Sequence, residues 1–162
     1  MASPRTRLIA ALGTAAAALS LPAPAADSYS LIVTATVQGI CKFTQASGQT
    51  LTFTNNASGG IDPSVAANAT ANATIAYKCT SGTAPSTFTG VGANDTGGNH
   101  VVKNGTNSMI YTVTLTGGGA GDGFGAGSTN KTVAVAGTIL PAQFQSAAAG
   151  TYTDTLVVTI AP

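Results

Sequence analysis

The run Gly150-Thr151-Tyr152-Thr153-Asp154-Thr155-Leu156-Val157-Val158-Thr159-Ile160 puts Tyr152, Leu156, Val158 and Ile160 on one side and mostly threonine on the other, and only Ala161 and Pro162 follow it. That period of two is the pattern of a half-buried β-strand, here expected over residues 150–160. A chain closing on such a strand is expected to leave its sheet unfinished, because the last edge has no later strand to cover it. Where the missing strand comes from then bears directly on function.

The N-terminus indicates the compartment. Arg5 and Arg7 precede an apolar stretch over residues 8–21, and Ala23-Pro24-Ala25 fits the small-x-small site of a secretory signal peptide, expected to span residues 1–25. A membrane anchor is the competing reading, but the stretch is shorter than the roughly 20 residues a span needs, and Pro22 and Pro24 close it. The expected mature chain of 137 residues is enough for one domain with its own core. It carries Lys42, Lys78, Lys103 and Lys131 against five aspartates, so no basic stripe is present for nucleic acid or an anionic membrane. Low charge here accompanies abundant Val, Ile, Thr and Ala, which favours ordered strands over a solvated tail.

Two cysteines in an exported chain point to a single disulfide, Cys41–Cys79, closing a loop of about 39 residues. A metal site or reactive thiol lacks partners, because the sequence has one histidine, no CxxC and no third cysteine.

Strand patterns recur along the chain with nothing that reads as a long helix. Residues 28–37 alternate, with Tyr29, Leu31, Val33, Ala35 and Val37 on one face, and are expected to form a half-buried strand. Leu51-Thr52-Phe53 reads as a short strand and residues 55–63 as an Asn/Gly/Pro loop; further strands are expected over 69–79, 86–91, 109–115 and 131–139. Residues 142–149 could form a helical turn before Gly150. About seven short strands with glycine-rich punctuation predict an all-β fold, a β-sandwich.

Catalytic sets fail by subtraction, and the chain is not expected to be an enzyme. His100 sits among Gly97, Gly98, Asn99 and Asn104 and reads as a solvated loop residue; there is no glutamate, and no Gly-x-Ser-x-Gly. The glycine run 117–127 lacks the Gly-Lys-Ser/Thr ending of a phosphate loop and contains no repeated calcium-binding unit around Asp122, so it reads as a flexible hairpin loop. No cofactor or metal is expected.

The order of an alternating strand, Cys41, Leu51-Thr52-Phe53, Tyr77-Lys78-Cys79-Thr80, Ile110-Tyr111-Thr112-Val113, Gly137-Thr138-Ile139-Leu140-Pro141-Ala142-Gln143 and the closing Gly150-x-Tyr152-x-Asp154-x-Leu156 resembles the spore coat protein U domain family. That family includes subunits of archaic chaperone-usher pili of Gram-negative bacteria. The resemblance covers nearly the whole mature chain and implies an immunoglobulin-like β-sandwich lacking its final strand, completed by donor-strand exchange. It also implies a periplasmic chaperone and an outer-membrane usher as partners, with neighbouring copies of the chain, and export through the periplasm to a surface pilus supporting adhesion and biofilm formation. On this reading residues 26–38 hold the donor strand, with Tyr29, Leu31, Val33, Ala35 and Val37 facing the groove, and residues 39–162 form the pilin-like domain. Tyr152, Leu156, Val158 and Ile160 would line the acceptor groove. The open alternative is that residues 28–37 complete the sheet of their own chain. Two other functions compete: a spore-coat or matrix structural protein, and a small carbohydrate-binding adhesive module, the latter opposed by the absence of Trp.

Overall fold

The computed structural model describes residues 26–162, so the expected signal peptide lies outside the described residues. Among the described residues seven strands and one short helix follow each other: β1 (Cys41–Phe43), β2 (Ala69–Cys79), β3 (Thr87–Gly92), β4 (His100–Asn104), β5 (Asn107–Gly117), β6 (Lys131–Ile139), α1 (Pro141–Phe144) and β7 (Leu156–Ala161). They form a five-stranded sheet in the order β1-β2-β6-β5-β4 and a two-stranded sheet β3-β7, all antiparallel. The fold is an all-β, immunoglobulin-like sandwich. Among the described residues no helix is long and apolar enough to cross a membrane.

Alternation explains why these segments pair as they do. In β6, Val133, Val135, Gly137 and Ile139 are buried while Thr132, Ala134 and Ala136 are exposed, and β2 presents Ala69, Ala71, Tyr77 and Cys79 to the same interior. A one-residue slip would turn these faces inside out, so the register Ala71↔Gly137 and Ile75↔Val133 is strongly specified. At the sheet's edge Cys41 faces Cys79 in the β1–β2 ladder, and the two are joined by a disulfide.

The core has two centres. One gathers Val102, Met109, Tyr111, Ile139 and Phe144; the other gathers Tyr77, Cys79 and Val133, with Phe88, Leu115 and Ile160 packed against it. The helix α1 begins on Pro141, whose fixed φ suits a first helical turn, and serves to bury Phe144. Just before that ring, the Gln143 side-chain carbonyl accepts the Ile110 N–H at 2.9 Å. Ile110 lies outside the stretch of β5 that pairs with β6, Thr112–Gly117, so this contact satisfies an amide the ladder leaves free.

Four expectations need correction. Residues 28–37 form no strand, and Tyr29, Leu31, Val33 and Val37 are between 76% and 91% exposed. Alternation specifies a face, but a strand needs a ladder partner as well, and the described residues supply none for this segment. Leu51-Thr52-Phe53 is likewise outside any strand; the nearest pairing is the isolated bridge Thr54↔Thr70. The last strand starts at Leu156 rather than at Gly150, because Thr153 and Asp154 are held by an isolated bridge and side-chain bonds instead of a continuous ladder. His100 is not in a loop: it opens β4, directly after a tight turn at Gly97-Gly98 whose φ values of 59° and 80° suit glycine.

Candidate functional site

β7 is the strand on which the site is built. It pairs with β3 from Thr87↔Ala161 to Gly92↔Leu156, and among the described residues it has no ladder on its other edge. Along residues 151–160 exposure alternates at every step, so Tyr152, Asp154, Leu156, Val158 and Ile160 turn together toward the interior while Thr151, Thr153, Thr155, Val157 and Thr159 face out. All five inward residues are only half-buried, because the interior they face is not closed.

What stands open there is a groove of about 1160 Å³. One wall is the stretch from Gln45 to Phe53, which runs from β1 toward the Thr54 bridge; the other is the stretch from Ala147 to Val158. The floor is core: Ala73 and Ile75 of β2, Met109 and Tyr111 of β5, Val135 and Ile139 of β6. Leu51, Phe53 and Phe43 face this space half-buried. An apolar channel of this size within a small sandwich leaves surface in water that burial would stabilise by about 25 cal/mol per Å².

Of the four residues expected along the groove, Tyr152, Leu156 and Val158 line it, and Ile160 shares their face but packs at the far end with the cluster around Tyr77 and Val133. The residues missed by sequence reasoning are the opposite wall, Leu51 and Phe53, and the floor. Leu51-Thr52-Phe53 carried a usable signal, an apolar pair two residues apart beside a turn, but a two-residue period does not say which neighbour is absent. The disulfide pins β1, and with it the start of the 45–53 wall, to β2.

Side-chain bonds shape the loop leading into β7. The Tyr152 hydroxyl donates to the Ala148 carbonyl at 2.9 Å, folding residues 148–152 back on themselves. Asp154 accepts the Tyr111 hydroxyl at 2.6 Å and the Asn94 N–H at 2.9 Å, and Asn94 Nδ2 donates to the Thr153 carbonyl at 3.0 Å. Burial, reinforced by the Asp154 carboxylate, pushes the Tyr111 hydroxyl well above the ordinary tyrosine range, so it remains a donor at physiological pH. Leu156 then packs its methyls over Gly90, where a β-carbon would come within 3.2 Å. Within the motif Gly150-x-Tyr152-x-Asp154-x-Leu156, the side chains of Tyr152, Asp154 and Leu156 thus each fix a successive part of the groove's wall.

Ionisable side chains do not collect into a metal-binding group among the described residues. The glycine-rich segment after β5 crosses to the loop after β2 through the bridge Ser81↔Gly121, and Asp122 there accepts from Thr129 and pairs with Lys131 at 3.0 Å.

No curated protein matches the chain. A family model for the Spore Coat Protein U domain matches residues 27–159, which takes in the whole sandwich up to β7, the disulfide and both walls of the groove. The chain belongs to the Spore Coat Protein U domain family, whose members are structural subunits of fimbrial or spore-coat type.

Proposed function

We propose that this protein is the subunit of a surface fibre, assembled head to tail by donation of its N-terminal strand to the groove of the next copy. The observation that carries the reading is the free edge of β7 beside an apolar groove, in a chain whose exposed residues 29–37 have the one-faced pattern that such an edge would accept. In this reading residues 1–25 are removed on export, residues 26–38 are the donor, and residues 39–162 are the acceptor domain. Tyr29, Leu31, Val33, Ala35 and Val37 enter the groove while the donor's main chain adds a ladder to β7. Burying four or five such side chains is worth about 6 to 15 kcal/mol before ordering costs reduce it.

An open groove is also a liability before assembly, since an unpaired edge and an exposed core promote aggregation. That supports the need for a periplasmic chaperone to cover the groove and an outer-membrane usher to exchange it for the donor, delivering the fibre to the cell surface. Fibres of this kind would serve adhesion and biofilm formation.

The test compares the mature chain with a variant lacking residues 28–37 and with Val158→Asp, each expressed with and without the chaperone. Head-to-tail oligomers that survive mild denaturant are expected from the intact chain alone. The deletion should yield a monomer recoverable only with the chaperone, and V158D a chain that donates but does not accept. A deletion variant that polymerises as well as the full chain overturns the donor assignment.

A further inference from the structure

Two residues that line the groove, Tyr111 and Asp154, belong to a polar cluster that continues outside it through Asp95 and His100. His100 Nδ1 contacts both Asp95 carboxylate oxygens, at 2.9 and 3.0 Å, and its ring stacks on Tyr111 with centroids 5.2 Å apart. Tyr111 in turn donates to Asp154, and Asp95 also accepts the Gly92 N–H at 2.8 Å. The two carboxylates close on Gly92 from opposite partners, so near that any β-carbon at 92 would collide with both. Gly92 and Leu156 are the last register pair of the β3–β7 ladder. Beyond that pair the chain is held by Ala93 N–H to Thr155 carbonyl, the two Asn94 bonds, and the reciprocal Lys103–Thr153 backbone bonds.

We propose that Tyr111, Asp154, Asp95 and His100 are positioning residues that form a latch on the start of β7, setting the angle at which its free edge meets an incoming strand. The inference rests on the donor-strand reading only where it concerns assembly; the hold on β7 stands on the geometry alone. Such a hold matters because, among the described residues, the ladder of β7 runs on one side only, and ahead of Leu156 it gives way to a few separate backbone and side-chain bonds.

The groups facing His100 are Asp95 from the turn and Tyr111 from β5, with Asp154 behind Tyr111. β3 contributes no ionisable side chain, and Lys103, the lysine of β4, is exposed and outside both ion pairs of the described residues. Burial pushes the Asp95 carboxyl up, but the His100 hydrogen bond, the Gly92 N–H and the imidazole's charge outweigh it and hold the group below its ordinary range. The hold contributed by Asp95 is therefore present above the pH at which a free aspartate titrates, and is lost as pH falls through the lowered value.

The experiment is amide hydrogen exchange on the full mature chain across pH 3–7, with head-to-tail oligomer formation followed in parallel. Tyr111→Phe, which keeps the ring and the stack, should speed exchange at Leu156–Ala161 about tenfold at neutral pH while β2 and β6 stay protected, as expected for the loss of one charge-assisted hydrogen bond. His100→Gln should move the acid loss of β7 protection to higher pH, and Asp122→Asn, which breaks an ion pair elsewhere, should not. Unchanged β7 exchange in Y111F, or loss spread equally over β2, β6 and β7, overturns the latch. If no form of the protein assembles, the donor-strand reading fails while the exchange data still decide the latch.

Discussion

Phe53 rests on Gly137. A β-carbon at position 137 would stand 2.8 Å from the ring's Cζ and 3.2 Å from Leu51 Cδ2, so the groove's outer wall lies against the bare backbone of β6. Gly137→Ala would displace both side chains and should destabilise the fold by about 1–3 kcal/mol, the usual cost of overpacking. Urea unfolding measures the loss.

Replacing Cys41 and Cys79 by serine opens a loop with a sequence separation of 38. Loop-closure entropy predicts a loss of about 4 kcal/mol. Thermal unfolding of the double variant beside the parent, each without reductant, gives the difference.

Tyr77 is wholly buried, packs edge-on against Phe88 at 5.5 Å, and its hydroxyl has no hydrogen-bond partner among the described residues. Removing an unsatisfied buried hydroxyl relieves a desolvation cost, so Tyr77→Phe should stabilise by about 1 kcal/mol, read as a Tm higher by about 3 °C. A lower Tm would mean that the hydroxyl is satisfied in solution.

Three carboxylates sit below their ordinary range: Asp62 through its hydrogen bonds from Ser64, Asp122 through Thr129 and Lys131, and Asp95 through His100 and Gly92, against an upward push from burial. A lowered folded-state value stabilises the fold above about pH 4, where the unfolded groups ionise, and the gain disappears as pH drops through the lowered values. Tm should therefore be flat from pH 7 to about pH 5 and fall below pH 4. Asp122→Asn should remove part of that slope.

The sequence was most legible in the pair β2–β6. Strand β6 has the expected limits, Lys131–Ile139, as does β2, Ala69–Cys79, because the nine-pair ladder between them holds both to one register. Legibility failed at the groove for a related reason. Residues 28–37 and Leu51-Thr52-Phe53 carry strand-like patterns, but a pattern reports a preferred face and is silent about the partner, and neither segment is in a strand ladder among the described residues. His100 was misplaced because glycine pairs signal turns without giving their length: Gly97-Gly98 is a two-residue turn that delivers His100 into β4. The contacts of Asp154 with Tyr111 and Asn94 join residues 43 and 60 positions apart, beyond the reach of any local period.

The bridge between Cys41 and Cys79 also settles how the domain would carry tension. A pull on the chain ahead of Cys41 meets first a strand of only three residues, which alone would peel from β2 one hydrogen-bonded pair at a time. The covalent link passes that force directly into β2, which is joined to β6 by a nine-pair ladder. The weakest edge strand is thereby taken out of the mechanical path.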